Sequence, residues 1–201
     1  MASSPNPVTL IVGLGNPGPQ YARNRHNVGF WFVDRLGDTR REPRYDADIG
    51  TIAIGGERVV LMKPMSYVNR SGGPVGAYTR FFKIPPTQVL VVHDELDLAP
   101  GIVRLKQGGG HGGHNGLRDI SAQIGGDYKR LRIGIGHPGS AELVTNHVLG
   151  NPPPEDRTAI EQAIERALEH LADVVGGRFE LVMNELNRRD GDAARGKPRK
   201  E

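Results

Sequence analysis

Apolar positions along the chain fall into two kinds of run. Val8 to Leu14 and Gln88 to Val92 are short, continuous and rich in β-branched residues, the pattern of strands buried on both faces of a sheet. Ala47–Ile54 and Arg58–Met62 flank Gly55-Gly56, a dipeptide suited to positive φ at both turn positions, and so predict a hairpin. Ile102–Lys106 and Arg130–Ile135 read as two further strands. Helical spacing begins after Asn27 with Phe30, Val33 and Leu36, closed by Gly37. It returns over Ser71–Phe82, where Pro74 is tolerable in the first turn, and over Gly116–Ile124. Glu155–Val175 carries Ile160, Ala163, Ile164, Ala167, Leu168, Leu171 and Val175 on one stripe, and a short last helix, Phe179–Leu186, follows Gly176-Gly177. The sum predicts an α/β fold: a three-layer α/β/α domain around a twisted mixed, partly parallel central sheet.

A chain of 201 residues suits one core, so residues 1–187 are expected to form a single domain. Residues 188–201 hold charge, Gly, Pro and Ala without large apolar side chains, and are expected to form a basic, disordered tail. Cysteine is absent, which excludes a disulfide framework, a thiol nucleophile and thiolate-bound metal. Met1–Pro7 lacks the features of a signal peptide and no apolar run reaches membrane-spanning length, so the expected location is the cytoplasm, without a membrane partner. The net charge of +3 hides an uneven distribution. Residues 1–150 carry 17 Lys/Arg against 12 Asp/Glu, residues 151–187 carry 3 against 8, and residues 188–201 carry 6 against 3. Basic surface therefore belongs to the first part and the tail.

Three stretches offer chemistry. Gly13-Leu-Gly-Asn-Pro-Gly18 matches the dinucleotide pattern G-x-G-x-x-G after a strand, but Pro17 and Pro19 lack N–H groups and helical spacing starts only near Asn27. The turn keeps Asn16, whose amide can donate to a carbonyl at the carboxyl end of a central strand. The second stretch is Tyr21–Asn27, with His26. His93-Asp-Glu-Leu-Asp97 follows the other buried strand and emerges at the same edge if the two strands are parallel. A carboxylate from Asp94, Glu95 or Asp97 would then fix the histidine tautomer, as a general base working on water requires. The third stretch, Gly108-Gly-Gly-His-Gly-Gly-His-Asn-Gly116, suits a mobile wall over a cleft. His111 and His114 could ligate zinc, but H-E-x-x-H is missing and so loose a loop holds ligands poorly. With no cysteine and no G-x-S-x-G, water is favoured over a covalent intermediate. Around the loop, Arg104, Lys106, Arg118, Lys129, Arg130 and Arg132 suit phosphate backbone more than base reading.

Taken together, Gly13–Tyr21, Asn24–Gly29, Lys63–Gly72, His93–Asp97, Gly108–Gly116 and Arg130–Gly136 resemble, in order, blocks of the bacterial-type peptidyl-tRNA hydrolase family, across Leu10 to about Leu186. The resemblance implies hydrolysis of the ester between a peptide and the 3′-terminal ribose of tRNA, with peptidyl-tRNA as partner and with neither metal nor cofactor. It implies His26 as general base, Asp94 as the carboxylate holding its basic form, and Asn16 as the group that senses a blocked amino end. Tyr21, Tyr67, Asn69 and Asn115 match positions lining the peptide and 3′-end site, and Lys106 and Arg132 match basic groups near tRNA phosphates. A monomer is expected. One position departs: the family usually has methionine where Val68 stands, and valine is shorter and stiffer. Two other readings compete, a nucleotide-dependent oxidoreductase built on the glycine pattern and a tRNA-binding module without turnover.

Overall fold

The continuous apolar run at the start of the chain forms β1 (Leu10–Gly13), with every residue buried. The computed structural model describes residues 6–195, with side chains through Arg188. After β1 come α1 (Val28–Leu36), β2 (Arg40–Glu42), β3 (Ala47–Ile54), β4 (Glu57–Pro64) and α2 (Gly72–Phe82). Next are β5 (Val89–Glu95), β6 (Val103–Gln107), α3 (Asn115–Ile124) and β7 (Lys129–Gly134), then α4 (Val144–Val148), α5 (Pro154–Glu169), α6 (Leu171–Val175) and α7 (Phe179–Arg195).

One sheet takes the order β2-β3-β4-β1-β5-β7-β6. β1 lies parallel to β4 and β5, β5 lies parallel to β7, and the outer pairs are antiparallel, so the sheet is mixed as expected. Alternate residues of the central strands face opposite ways. Ile11, Leu61, Leu90, Val92, Leu131 and Ile133 pack against α1, α5, α6 and α7. Leu10, Val12, Met62, Val89 and Val91 pack with Val75 and Tyr78 of α2 and Leu117 and Ile120 of α3. Helices thus cover both faces, which is why the central strands read as unbroken apolar runs.

The hairpin turns where expected, with Gly55 and Gly56 both at positive φ. Four elements depart from the expectation. β2 is an exposed edge strand of only Arg, Arg and Glu, and α4 has five residues with a single apolar pair, Val144 and Val148, too short a signal to predict a helix. The long helix is bent at His170, whose N–H bonds to Ala167 O, so that α5 and α6 share one apolar stripe in two pieces. The bend brings Val175 O to the N–H of Val8 at 3.1 Å. Finally, α7 continues past Leu186 to Arg195, so the tail expected from residue 188 begins as helix. Phe179, Val182 and Leu186 anchor that helix in the core. Once nucleated, a run with Arg and Ala can continue on its own backbone bonds. Residues 196–201 lie outside the described residues.

Candidate active site

The parallel strands end on one edge of the sheet, and their carboxyl ends deliver the polar groups there. The head of α1 approaches this edge closely because two glycines allow it. A Cβ on Gly13 would lie 2.3 Å from Gly29 O, and one on Gly29 would lie 2.4 Å from both Leu14 N and Val92 O. The turn after β1 is then tied to α1 by reciprocal bonds: Asn16 N–H donates to Asn27 Oδ1 (2.9 Å) and Asn27 Nδ2 donates to Asn16 O (3.0 Å). The glycine-rich turn therefore spends its Asn16 N–H on Asn27, and α1 starts only at Val28, unlike a turn that cradles pyrophosphate. Asn16 Oδ1 accepts the N–H of Val68 at 2.9 Å, which fixes the amide orientation and turns its NH₂ group away from Val68. Val68 itself is buried, and its Cγ1 sits 2.8 Å from where Gly116 would carry a Cβ. Its part in orienting Asn16 belongs to the backbone and is indifferent to valine or methionine.

Asp94, near the end of β5, is the most heavily used group at the edge. Its side chain is buried, and each oxygen meets one imidazole: Oδ2 accepts from His26 Nδ1 and Oδ1 from His114 Nε2, both at 2.8 Å. Burial alone would raise the Asp94 carboxyl, but the charges and hydrogen bonds of His26 and His114 outweigh it and hold the carboxyl far below the ordinary range. Both imidazole nitrogens that face it are accordingly N–H donors. For His26, burial disfavours the charged form, yet the Asp94 charge and bond together raise its pKa. Its Nε2 has no protein partner among the described residues. His93, fully buried, donates Nδ1–H to Asp94 O at 2.8 Å; burial, then the neighbouring His114, lowers its pKa to about 3, so it is neutral. Ligating atoms of His26, Asp94 and His114 lie within 4.8 Å of one another, so these three are the groups that could surround an ion. An ion there would have to displace both N–H protons now bound to Asp94. His111 is apart from them, exposed, with its Nδ1 accepting Gly113 N–H at 3.1 Å.

A cleft of about 550 Å³ opens over this edge. His26, Asp94 and Asn16 line it together with Tyr21, Tyr67, Asn69 and Asn115, so seven of the nine residues expected at the site meet in one cavity. Tyr21 and Tyr67 stand edge to face with ring centroids 6.1 Å apart. Val144, Val148 and Leu149, in and beside α4, give the cleft an apolar wall next to His26. Arg25 holds that wall through His147 O at 3.0 Å and its own N–H to Gly150 O. Lys106 and Arg132 do not line the cleft. Arg132 reaches its rim through Glu95 at 3.3 Å, whereas Lys106 is exposed on β6, one strand farther out.

The basic cluster divides on inspection. Lys129 and Arg130 are buried: Lys129 donates to Asn6 O and Thr87 O, and Arg130 donates to Gly109 O (2.8 Å) and Gly110 O (2.5 Å). They are structural donors rather than surface for phosphate. The residues that sequence reasoning missed are His114, Glu95 as a partner for Arg132, and the α4 wall. For His114 a signal existed, a histidine just before a helix, where its Nδ1 accepts Leu117 N–H as an N-cap at 3.4 Å.

Comparison with known proteins identifies the family. A family model described as peptidyl-tRNA hydrolase matches residues 10–194. The peptidyl-tRNA hydrolase of Methylococcus capsulatus is 54% identical over 186 residues, covering 90% of this chain and 99% of that protein. That of Alkalilimnicola ehrlichii is 49% identical over 196 residues, covering 94% and 100%. The crystal structure of peptidyl-tRNA hydrolase from Acinetobacter baumannii superposes with a TM-score of 0.88 at 47% identity, covering 93% of this chain and 96% of that one. On the extent of these matches, this chain belongs to the peptidyl-tRNA hydrolase family.

Proposed function

We propose that this chain hydrolyses the ester joining a peptide, or an N-blocked aminoacyl group, to the 3′-terminal ribose of tRNA, with His26 activating the attacking water. One observation carries the reading: the His26 ring, held by Asp94 through Nδ1–H, borders the same cleft as the Asn16 amide. With Asp94 ionised and His26 neutral, Nε2 of His26 accepts a proton from water while Asp94 stabilises the imidazolium that forms. The water oxygen adds to the ester carbonyl, and an amide N–H from Asn16, Asn69 or Asn115 donates to the oxyanion. Collapse expels the ribose oxygen, which takes the water-derived proton from His26 Nε2, so acid and alcohol are formed and the enzyme is regenerated. General-base assistance contributes about 10²–10⁴ in rate and one oxyanion donor about 10²–10³, a range within reach for an ester without a metal.

Tyr21 and Tyr67 provide flat surfaces for the 3′ end, and Asn16 an NH₂ group for the carbonyl of a blocked amino end. Lys106 and Arg132 lie outward of the cleft, where the phosphates of an acceptor stem would run. The protein acts in this reading as a cytoplasmic monomer, with the chemistry carried by one domain ending near residue 187. Among the described residues no helix is long and apolar enough to cross a membrane. The test is turnover of N-acetyl-aminoacyl-tRNA against unblocked aminoacyl-tRNA in the presence of chelator. Rapid release from the blocked substrate alone is expected, with His26→Ala losing about 10²–10⁴ in kcat at nearly unchanged tRNA affinity. A His26→Ala enzyme of full activity would overturn the assignment of the base.

A further inference from the structure

Asp94 has two imidazole partners where a base and its orienting acid need only one. We propose that His114 is a positioning residue that moderates the His26 base: by taking one oxygen of Asp94, it draws carboxylate charge away from His26 and keeps His26 Nε2 free to accept a proton near neutral pH. The inference rests on the reading of His26 as the base and adds what sets its strength.

The two bonds are equal in length, 2.8 Å to Oδ2 from His26 and 2.8 Å to Oδ1 from His114. A carboxylate that accepts two charge-assisted N–H bonds is less basic toward each donor than one that accepts a single bond. His114 is held in the tautomer that supplies its N–H. Its Nδ1 accepts Leu117 N–H at the start of α3, which leaves the proton on Nε2, facing Asp94. The His26 ring lies beside it, with its centroid 5.3 Å away. The His93 ring stands edge-on to His114 at 5.2 Å and keeps it in line with Asp94.

Among the described residues only His26 and His114 hydrogen-bond to the Asp94 carboxylate, although His93 Nε2 and Arg25 Nε are buried nearby without a partner. On β5, Glu95 is bonded to Arg132 of β7. Arg25, beside His26, donates to His147 O, and the His147 ring bonds to Gly136 O at 2.9 Å. His111, Arg70, Tyr21 and Tyr67 border the cleft, and no hydrogen bond from any of them reaches Asp94. Asp94 thus sets the charge that His26 feels, and His114 is the group that divides it. Burial works against charge on His26 and Asp94 already overcomes it. With Asp94 undivided, the imidazolium would persist further into the neutral range, where a base must be unprotonated to work.

The experiment compares His114→Phe, which keeps the ring volume and loses the N–H, with His114→Gln, whose amide can restore a donor to Oδ1. In His114→Phe, the acid limb of the kcat/KM profile for N-acetyl-aminoacyl-tRNA is expected to move to higher pH by about half a unit or more. That is roughly three-fold in the protonation ratio. The His26 titration midpoint, followed by NMR in the free protein, moves the same way. His114→Gln returns both toward wild type, which a role in packing alone would not produce. If His114→Phe disturbs the fold, His114→Leu is measured in its place. A His26 midpoint that stays put or falls in the folded variant overturns the proposal, as does a His114→Gln enzyme that folds without restoring it. The NMR readout needs no turnover, so it separates failure of this coupling from failure of the base assignment.

Discussion

The two walls of the cleft are built in opposite ways. On one side the turn carrying Asn16 and the helix head carrying His26 are locked: Gly13 and Gly29 are in backbone contact, and Asn16 and Asn27 exchange two hydrogen bonds. On the other side runs the loop from Gly108 to Gly113, with Gly108, Gly109, Gly112 and Gly113 at positive φ. A Cβ on Gly110, Gly112 or Gly113 would meet nothing within 4 Å. Arg130 tethers this loop from beneath through the carbonyls of Gly109 and Gly110. His26 and Asn16 thus stand on the tightly packed wall, as a reaction dependent on sub-ångström placement requires. The wall with room to adjust suits a substrate whose peptide varies from one molecule to the next.

The sharpest break of this comparison comes at Asp94, where the two walls meet: His26 reaches it from the rigid side and His114 from the end of the glycine loop. Asp94→Asn removes the charge that favours the His26 imidazolium and leaves burial, which disfavours it. The expected result is a fall in kcat of about 10² or more, with the acid limb of the pH–rate profile moving to lower pH. His114→Phe should move the same limb upward, so the two variants bracket wild type. A profile for Asp94→Asn displaced to higher pH would contradict the electrostatic role given to Asp94.

A second prediction sets glycine against glycine. In Gly29→Ala the new methyl would sit 2.4 Å from the backbone of Leu14, just after β1, and of Val92 in β5, which cannot rotate away. The cost is expected at about 3 kcal/mol or more, a drop in Tm of roughly 10 °C, with activity lost as α1 moves off the sheet. Gly112→Ala meets open space and only the strain of φ +57, expected at about 1–2 kcal/mol. Its main effect should be on KM. Equal losses of Tm in the two variants would mean that the walls do not differ in rigidity.

The rigid wall was also the more legible of the two. β1 and β5 announce themselves as unbroken apolar runs because both faces of the sheet are covered, and their parallel pairing brings Asn16 and Asp94 to one edge. His26 could be suspected from type and position, but which of Asp94, Glu95 and Asp97 would reach it depended on the pleat of β5, which no residue count supplies. The role of His114 was hidden by its surroundings, since histidine in a glycine run reads first as loop or ligand. Burial of Lys129 and Arg130 was equally hidden. Leu131 and Ile133 mark one covered face of β7, and Lys129 lies on it too, bonded to Asn6 O and Thr87 O, while Arg130 looks exposed on the other face until the glycine loop is known to lie there. β2 lacks any apolar residue because it is an exposed edge strand, and α4, barely longer than one turn, offers only the single pair Val144 and Val148.

The smallest expected effect lies at the outer margin of the loose wall. Lys106 is exposed on β6 and packs under the glycine loop, its Cε 2.8 Å from where Gly109 would carry a Cβ. Arg132 is less suitable for a clean test, because its removal also strands Glu95 at the cleft rim. If Lys106 contacts one tRNA phosphate, Lys106→Ala should weaken tRNA binding and lower the slope of log K against log salt by about one. Its effect on kcat at saturating substrate should be negligible, since no bond to His26, Asp94 or Asn16 changes. The measurement is a salt titration of tRNA affinity for wild type and variant side by side. An unchanged slope would remove Lys106 from the phosphate contacts and leave the loop wall with a role in shape alone.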